Sequence, residues 1–439
     1  MLKTRTDSKL LCHYVIYDSD WQKPAATEQH AAIRVAELCA YSKESVYLGF
    51  PWANLIDRLN LSDSRSETLI LGLDKCRRLV RGYSRVITVC QHIYLFKYLH
   101  LLKSAGVTHI FWSHTTQTTD YELTLAGYDD LTIYPFPLLP VAYEKGDFLC
   151  TTEKKYLFSF VGARSTLGYR TDTRSFIIDH LSNSQRAYVK GRTGWHYAKE
   201  VYEDPTKGTQ DTSYNNEESD KKRNEFIDIL KHSAFSLCPS GTGPNSIRLW
   251  ESLQTASIPV VLADGLKLPG NQELWRNACL IVPEEREEIK RLPELLESVS
   301  NDRERYANML QACQQLAILY GPDYFVHDIA LLFLQDCTSK TKEDSPVSAK
   351  KHLPRVTQNQ SERIIAICEN LVSEVEKNLT DEHYDKARLF LRIKNRDRLV
   401  RSLLALSGQS NRQFIDIMDR MGTVKAKTGW FSSSHLLEE

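Results

Sequence analysis

The residues best suited to chemistry in this sequence are two glycines, an arginine and a glutamate within one short segment. Gly241 and Gly243 let the backbone approach a ligand closely. Arg248 and Glu251 follow at a spacing of three residues, which places both side chains on one face of a helix. Free backbone N–H groups at the positive end of a helix suit a phosphate, and a carboxylate one turn further on can accept hydrogen bonds from ribose hydroxyls. The pattern indicates a nucleotide site, with a purely structural turn as the alternative.

Two apolar strands must position this segment. Residues 234–238 before it and 258–262 after it are apolar enough to be covered on both faces of a sheet. Pro244 stands where the first residue of a helix is expected, because a proline there gives up no hydrogen bond. We therefore predict a strand, a glycine-rich turn, a short helix and a second strand, in that order.

This segment resembles the signature of a known family. Residues 238–251, followed by 258–261 and 268–269, resemble the signature of the exostosin family of glycosyltransferases. Residues 156–164, with Arg170 and Arg174 beyond them, resemble the strand-Gly-x-Arg segment that opens the donor domain of that family. The specific resemblance covers roughly residues 150–275. It implies a GT-B architecture, in which two Rossmann-like α/β domains with parallel sheets face a cleft and the C-terminal one holds a nucleotide-sugar.

The resemblance also implies roles for individual residues. Glu251 is expected to accept hydrogen bonds from the donor ribose, and Arg248 to pair with the diphosphate. Arg164, near the leaving group, would stabilise the negative charge that develops there. The predicted donor-binding residues are Gly162, Arg164, Arg170, Ser240, Gly241, Gly243, Asn245, Ser246, Arg248 and Glu251.

An inverting transfer needs a base near the acceptor hydroxyl, and the first domain is expected to supply it. His114, just past an apolar strand at 109–112, ranks first because it resembles the family's histidine after a strand of its N-terminal domain. Asp120 and Glu122 lie on what we predict to be the same loop. Asp18 and Asp20 form an equally legitimate pair at a strand end. The predicted catalytic residues are His114, Asp120 and Arg164.

The sequence predicts no metal and no cofactor besides the nucleotide-sugar donor. The donor domain has no DxD motif flanked by apolar residues, since Asp18-Ser-Asp20 lies outside it. Histidines elsewhere, such as His13, His30 and His92, show no spacing typical of metal ligands. We therefore expect the transfer to be independent of a metal ion.

Composition excludes several classes of protein. The 439-residue chain has 56 basic and 56 acidic side chains, so no overall field would recruit nucleic acid. Ten cysteines are scattered without a CxxC pair, which favours free thiols in a cytosolic protein. No apolar run reaches the roughly 18 residues that cross a bilayer. Because the resemblance implies that animal and plant members usually carry an N-terminal membrane anchor, we expect either a bacterial cytoplasmic enzyme or a trimmed chain.

Alternating strands and amphipathic helices predict an α/β fold of two domains with an appendage. Residues 203–222 are polar and predict a surface loop, with a helix from 224 onward. Residues 328–334 are expected to cross back to the first domain. The predicted organisation is an acceptor domain at 1–150, a nucleotide-sugar donor domain at 151–338, a linker at 339–360 and a helical extension at 361–439.

The extension offers one signal for a partner. Residues 386–404 are rich in lysine and arginine, interleaved with apolar residues at helical spacing. Such a helix can lie on anionic lipid or contact a partner transferase, or it can simply pack on the protein. The first interpretation predicts a peripheral location at the inner face of the plasma membrane.

The functional hypothesis is an inverting glycosyltransferase. It would move a sugar, most simply from a UDP-activated donor, to a hydroxyl of an oligosaccharide or lipid-linked glycan in a bacterial cell-surface polysaccharide such as O-antigen or capsule. Two alternatives remain open. One is a nucleotide-sugar epimerase or hydrolase on the same fold, and the other is a non-catalytic exostosin-like subunit that binds glycan or supports a partner.

Overall fold

The computed structural model describes residues 2–5, 14–22, 26–37, 44–139, 153–192 and 217–338. The predicted linker at 339–360, the helical extension at 361–439 and the basic segment at 386–404 lie outside these residues, as does most of the predicted loop at 203–222.

The first half of the chain forms a six-stranded sheet with its strands in sequence order. The first strand is antiparallel to the second, and the remaining neighbours are parallel. The strands are β1 (Leu2–Arg5), β2 (Tyr14–Tyr17), β3 (Ser45–Gly49), β4 (Arg85–Cys90), β5 (His109–Trp112) and β6 (Thr132–Pro135). The helices are α1 (Thr27–Glu37), α2 (Trp52–Asn60), α3 (Ser66–Val80), α4 (Leu99–Ser104, after a 3-10 turn at Leu95–Tyr98) and α5 (Thr119–Leu125).

The second half forms a separate, fully parallel sheet of five strands. Its strands are β7 (Tyr156–Ala163), β8 (Ala187–Arg192), β9 (Ser233–Pro239), β10 (Ile258–Leu262) and β11 (Leu280–Ile281). Its helices are α6 (Thr173–Leu181), α7 (Glu217–Lys231), α8 (Ile247–Gln254), α9 (Gln272–Ala278), α10 (Arg286–Lys290), α11 (Leu292–Asn301), α12 (Arg303–Leu319) and α13 (His327–Thr338). The predicted α/β class with two sheets is confirmed.

The strand order of the second sheet fixes where a ligand is expected. The order is β11-β10-β9-β7-β8, so the chain leaves β7 first toward β8 and later toward β9. In open α/β sheets, ligands bind outside the carboxyl ends of strands at such a reversal. The segments that follow β7 and β9 are therefore the ones placed to hold a ligand, and they begin with Arg164 and Ser240.

The apolar predictions for the central strands are confirmed. Every residue of β9 and of β10 is buried, as expected for strands covered on both faces by helices. The helix α8 packs Leu249, Trp250 and Leu253 into this core. The burial anchors α8 against the sheet, so that the turn between β9 and α8 is held at both ends.

Three predicted boundaries are wrong. The helix α8 begins at Ile247 with Ser246 as its N-cap, so Pro244 precedes the helix rather than opening it. The helix α7 begins at Glu217, within the stretch predicted to be a loop up to 222. Asp120 and Glu122 lie in α5 and not on a loop. In each case, tertiary packing or capping decides a boundary that local propensity leaves open.

The last helix returns to the first sheet, as the sequence predicts. Phe325, Ile329 and Phe333 are buried in one apolar cluster with Tyr47 of β3 and Phe111 of β5. The Arg85 side chain also donates a hydrogen bond of 3.1 Å to the carbonyl oxygen of Leu332. The division of the chain at residue 150 stays a prediction, because residues 140–152 are not among those described.

Replacing Leu332 by alanine tests this return. Leu332 is 2% exposed, and truncating such a side chain removes buried apolar surface and leaves a cavity. We expect the free energy of unfolding in urea to fall by about 2–5 kcal/mol. The matched control is Leu71→Ala in α3, where the side chain is 66% exposed, with an expected change of about 0.5 kcal/mol or less. Equal effects of the two changes would contradict the packing of α13 on the first sheet.

Candidate functional site

The turn between β9 and α8 is held in one conformation by its own backbone and its neighbours. The amide of Gly241 donates to the carbonyl oxygen of Gly243 at 2.9 Å, and the amide of Ser240 donates to that of Leu262 at 2.8 Å. The amide of Arg170 in turn donates to the carbonyl oxygen of Gly241 at 2.9 Å. The carbonyl oxygens of Gly241 and Gly243 are therefore engaged by protein donors.

Four other amides of the same turn are left free. Within the described part of the chain, no hydrogen bond uses the N–H groups of Thr242, Gly243, Asn245 or Ser246. The side chain of Ser246 makes no capping hydrogen bond to α8. Free amides in sequence at the start of a helix form an anion-binding concavity. This arrangement has the donors that a phosphate requires.

Arg248 is a buried cation with incomplete hydrogen bonding. Its side chain is 7% exposed, Nη2 donates to the carbonyl oxygen of Val161, and the guanidinium lies 4.6 Å from the ring centroid of Phe160. Its Nε and Nη1 have no partner in the described structure. Burial lowers the pKa of Arg248 from its ordinary value. A buried charge with unmade hydrogen bonds is costly, so an anionic ligand would gain two strong donors here.

The close approach of Arg248 to β7 depends on Gly162. A Cβ at this position would lie 3.1 Å from Nη2 of Arg248, and 3.1 Å from the ring of Phe160. The absence of a side chain therefore leaves room for the guanidinium beside the strand.

Glu251 lies one turn beyond Arg248 and is half-buried. Burial raises the pKa of its carboxyl group to about 7, and the positive charge of Arg248 opposes this shift. Among the described residues no ion pair of 4 Å or less joins Glu251 to Arg248. Glu251 is therefore available to accept hydrogen bonds from a ligand, because it is not engaged in an ion pair with Arg248.

Glu284, which lies outside the predicted set, and Arg174, which belongs to the segment that resembles the family, hold the turn in place. Glu284 accepts hydrogen bonds from the hydroxyls of Ser240 and Thr171, at 2.6 and 3.0 Å. Arg174 donates from Nε to the carbonyl oxygen of Ser240 at 2.8 Å. The hydroxyl of Ser240, predicted to bind the donor, is thus engaged by Glu284. The one sequence signal for this role of Glu284 is its position shortly after strand β11.

A cavity of about 500 Å³ lies between the two sheets. Its walls come from both halves of the chain and include His114, Thr118 and Glu122 on one side and Thr242, Gly243 and Asp264 on the other. Two α/β units that face such a cleft form the GT-B architecture expected from the resemblance. Two of the free amides, those of Thr242 and Gly243, belong to residues that line the cavity, whereas Arg248 and Glu251 do not line it.

Side chains and backbone join the two halves beside this cavity. Asn245 donates from its amide to the carbonyl oxygen of Ser113 at 2.7 Å and accepts from the indole of Trp250 at 2.9 Å. Its side chain, predicted to bind the donor, is therefore committed to the contact between the sheets. Thr116 pairs with Leu266 in an antiparallel bridge across the same boundary.

His114 lies at the cavity but is poorly placed to act as a base. Its ring is 6% exposed, its Nδ1 has no partner among the described residues, and burial lowers its pKa to about 3. A Cβ at Gly243 would come within 2.7 Å of Cε1 of this ring and closer still to Nδ1. The ring is therefore neutral at pH 7 and packed against the turn, and a base with so low a pKa is weak.

The other predicted residues differ in how close they lie to the cavity. Arg164 is exposed and forms an ion pair of 2.7 Å with Asp179, on the surface of α6. Asp120 pairs with Lys267 at 3.7 Å across the boundary between the sheets. Asp18 accepts a hydrogen bond from the indole of Trp21 at 3.2 Å. Arg170 is exposed and lines the cavity. The roles predicted for Arg164 and Asp120 stay predictions.

In the described ranges, no group of three or more His, Cys, Asp or Glu side chains is placed to hold a metal ion. The described helices also include none long and apolar enough to cross a membrane. Metal independence stays a prediction.

Similarity to known proteins falls on this region. Residues 92–299 match the family model described as the Exostosin GT47 domain. The Exostosin-1 homolog of Caenorhabditis elegans is 31% identical over 174 residues, which are 39% of this chain and 42% of the nematode protein. Exostosin-1a of Danio rerio is 28% identical over 155 residues, 34% of this chain and 19% of the fish protein. The chain thus spans less than half the length of these relatives.

A solved structure of a glycosyltransferase from Rickettsia africae ESF-5 is similar to this chain at 10% identity with a TM-score of 0.37. The superposition covers 72% of this chain and 96% of the other.

Replacing Gly243 by alanine tests the contact with His114. The added methyl group has no room beside the buried ring, and overpacking of this kind costs about 1–3 kcal/mol of unfolding free energy. The double variant Gly243→Ala with His114→Ala should recover part of the loss, because the residue that clashes is removed. Urea denaturation of the two single variants and the double variant measures this coupling.

The control is Gly168→Ala, where a Cβ would meet only a methyl group of Thr242 at 3.9 Å. It should leave stability within about 0.5 kcal/mol. Strictly additive effects at positions 243 and 114 would show that the two residues do not touch in solution.

Proposed function

We propose that this chain, whose residues 92–299 match the Exostosin GT47 domain, is an inverting glycosyltransferase that uses a nucleotide-sugar. The observation that carries the proposal is the buried guanidinium of Arg248 with two nitrogens unpartnered, beside a turn with four free amides. Both lie where the strand order of the second sheet reverses. A diphosphate has the charge and the acceptor oxygens that these donors require.

The half-buried carboxyl group of Glu251 supports a nucleoside next to that diphosphate. It lies one helical turn beyond Arg248, and its carboxylate can accept hydrogen bonds from two ribose hydroxyls. We propose UDP as the nucleotide. A guanidinium and free amides at the diphosphate also support a transfer in which protein groups, rather than a metal ion, stabilise the leaving group.

The cavity between the sheets supports a sugar and its acceptor as the reacting partners. Threonine hydroxyls and carboxylates line it together with the indole of Trp112, and such mixed surfaces suit carbohydrate. We propose that the acceptor is an oligosaccharide or lipid-linked glycan of a bacterial cell-surface polysaccharide, assembled in the cytoplasm or at the inner face of the plasma membrane. The five described free cysteines, all buried, and the balanced charge support a cytoplasmic setting.

A donor screen tests the function as a whole. The full chain is incubated with a panel of nucleotide-sugars, with and without a synthetic or lipid-linked oligosaccharide, and released UDP and glycosylated product are measured. Product that forms only with acceptor supports transfer. Rapid turnover of the nucleotide-sugar without acceptor would instead identify an epimerase or hydrolase. If UDP fails to raise the melting temperature, the proposed donor site is contradicted.

Arg248→Gln should weaken UDP binding because it removes a charged donor from a dry site. A hydrogen bond to a charged group contributes about 1.5–3 kcal/mol, which corresponds to roughly 10- to 150-fold in Kd. Arg248→Lys keeps the charge but not the planar fork of the guanidinium. The affinity of this variant for UDP should therefore lie between that of the wild type and that of Arg248→Gln. Titration calorimetry measures the affinities, and circular dichroism verifies that the variants fold.

The control for this series is Arg291→Gln, because the side chain of Arg291 is 71% exposed in the same half of the chain. Its UDP affinity should equal that of the wild type. An undiminished affinity in Arg248→Gln would contradict the diphosphate role.

The pKa of Glu251 predicts how UDP binding depends on pH. Because the carboxyl group loses its proton at about pH 7, affinity for UDP should rise as pH rises through 7, when the better acceptor form appears. Glu251→Gln should show weaker binding without this rise.

The same shift has a consequence for stability. The folded pKa of about 7 exceeds the ordinary value of 4.5, so the folded state binds the proton more tightly than the unfolded state does. The stabilisation that comes from the protonated carboxyl group of Glu251 is present below pH 4.5 and is lost as pH rises to about 7. A pH profile of unfolding that is the same in wild type and Glu251→Gln would contradict the raised pKa.

A further inference from the structure

We propose that Glu122 is the general base that accepts the proton of the acceptor hydroxyl. The inference rests on the proposed function and names a residue for its chemical step. It follows from the cavity between the sheets, which Glu122 lines from the first half of the chain while Thr242 and Gly243 line it from the turn of free amides. A sugar whose phosphate is held at those amides enters the cavity that Glu122 borders.

The position of Glu122 is set by contacts that cross the boundary between the sheets. The amide of Gln117 donates to the carbonyl oxygen of Gly265, and the amide of Lys267 donates to that of Thr115, both at 2.9 Å. The helix α5 begins at Thr119, directly after this stretch, and carries Glu122 in its first turn. The wall that bears the carboxylate is therefore tied to the half of the chain that holds the donor.

The carboxylate of Glu122 is itself oriented and accessible. Its Oε1 accepts a hydrogen bond of 2.7 Å from the hydroxyl of Thr118, and its side chain is exposed. One oxygen is thus held by a neutral donor, and the hydrogen bonds of the described residues leave Oε2 without a partner. A base needs such an oxygen within reach of the hydroxyl that reacts.

The other titratable groups that face this cavity are less suitable. His114 is packed against Gly243, burial lowers its pKa to about 3, and its Nδ1 is buried. Asp264 accepts from the backbone amide of Glu284 at 3.2 Å and belongs to the donor side of the cavity. An acceptor hydroxyl approaches the anomeric carbon from the face opposite the leaving group, which favours a base from the first half of the chain.

The step balances in atoms and electrons. The oxygen of the acceptor hydroxyl forms a bond to the anomeric carbon of the sugar, as the bond from that carbon to the phosphate oxygen breaks. The electron pair leaves with the nucleoside diphosphate, whose charge Arg248 and the free amides stabilise. The proton of the hydroxyl passes to a carboxylate oxygen of Glu122. Attack opposite the leaving group inverts the configuration at the anomeric carbon.

The test compares Glu122→Gln with Glu67→Gln in the full chain, using the nucleotide-sugar and acceptor found in the donor screen. Glu67 is an exposed glutamate in the first turn of α3, away from the cavity, and its replacement should leave kcat unchanged. Loss of a general base lowers the rate about 10²- to 10⁴-fold. We expect this loss in kcat for Glu122→Gln at saturating donor, with UDP affinity and melting temperature unchanged.

The dependence of kcat on pH separates catalysis from structure. Wild-type kcat should fall at acidic pH as the base becomes protonated, whereas the residual kcat of Glu122→Gln should lack this fall. Saturating donor keeps the titration of Glu251 out of the profile. Glu122→Asp, which retains a carboxylate, should keep the acidic fall at a reduced rate.

Near-normal kcat in Glu122→Gln would overturn the proposal while leaving glycosyl transfer intact. The same holds if Asp264→Asn, but not Glu122→Gln, abolishes turnover and the acidic fall, because Asp264 would then be the base. If wild-type protein transfers no sugar from any donor, the proposed function itself fails, and the proposal for Glu122 falls with it.

Discussion

The contact between Gly243 and His114 is the constraint on which the rest of the site depends. The buried ring lies against a backbone position that has no room for a side chain, and Asn245 reaches from the same turn to the carbonyl oxygen of Ser113. These contacts bring the loop after β5 and the turn after β9 together. The cavity walls are fixed relative to one another because both loops extend from rigid, buried strands.

Two arginines near the turn, Arg174 and Arg248, differ in how many of their nitrogens have hydrogen-bond partners. Arg174 donates to a carbonyl oxygen of the turn, so its charge helps to hold the backbone in place. Arg248 has a carbonyl partner and an aromatic face but keeps two nitrogens without partners. Such a group lowers stability in the absence of a ligand. The fold maintains it through packing of α8 on the sheet, so that the donors are preorganised before a ligand arrives.

Much of the scaffold could be predicted from sequence because its signals are local. Strands β5 and β10 have the bounds that their apolar runs indicate, and the turn at Gly243 lines the cavity between the sheets. The start of α8 could not be predicted, since the preference of Pro244 for a first helical position is overridden. The backbone of Ser246 is extended, with φ of −91° and ψ of 129°, and the preceding Asn245 side chain spans to the other sheet.

The sequence by itself determined the order of strands, turn and helix and the helical spacing of Arg248 and Glu251, because these follow from residue type and periodicity. Only the tertiary structure decided which polar groups are free. Asn245 and Ser113 are 132 residues apart, and Arg164 turns to Asp179 on the surface. Glu122 lines the cavity from α5, and the loop before this helix is hydrogen-bonded to Gly265 and Lys267 of the second half. A side chain's availability depends on neighbours that are distant along the chain, and no local pattern carries that information.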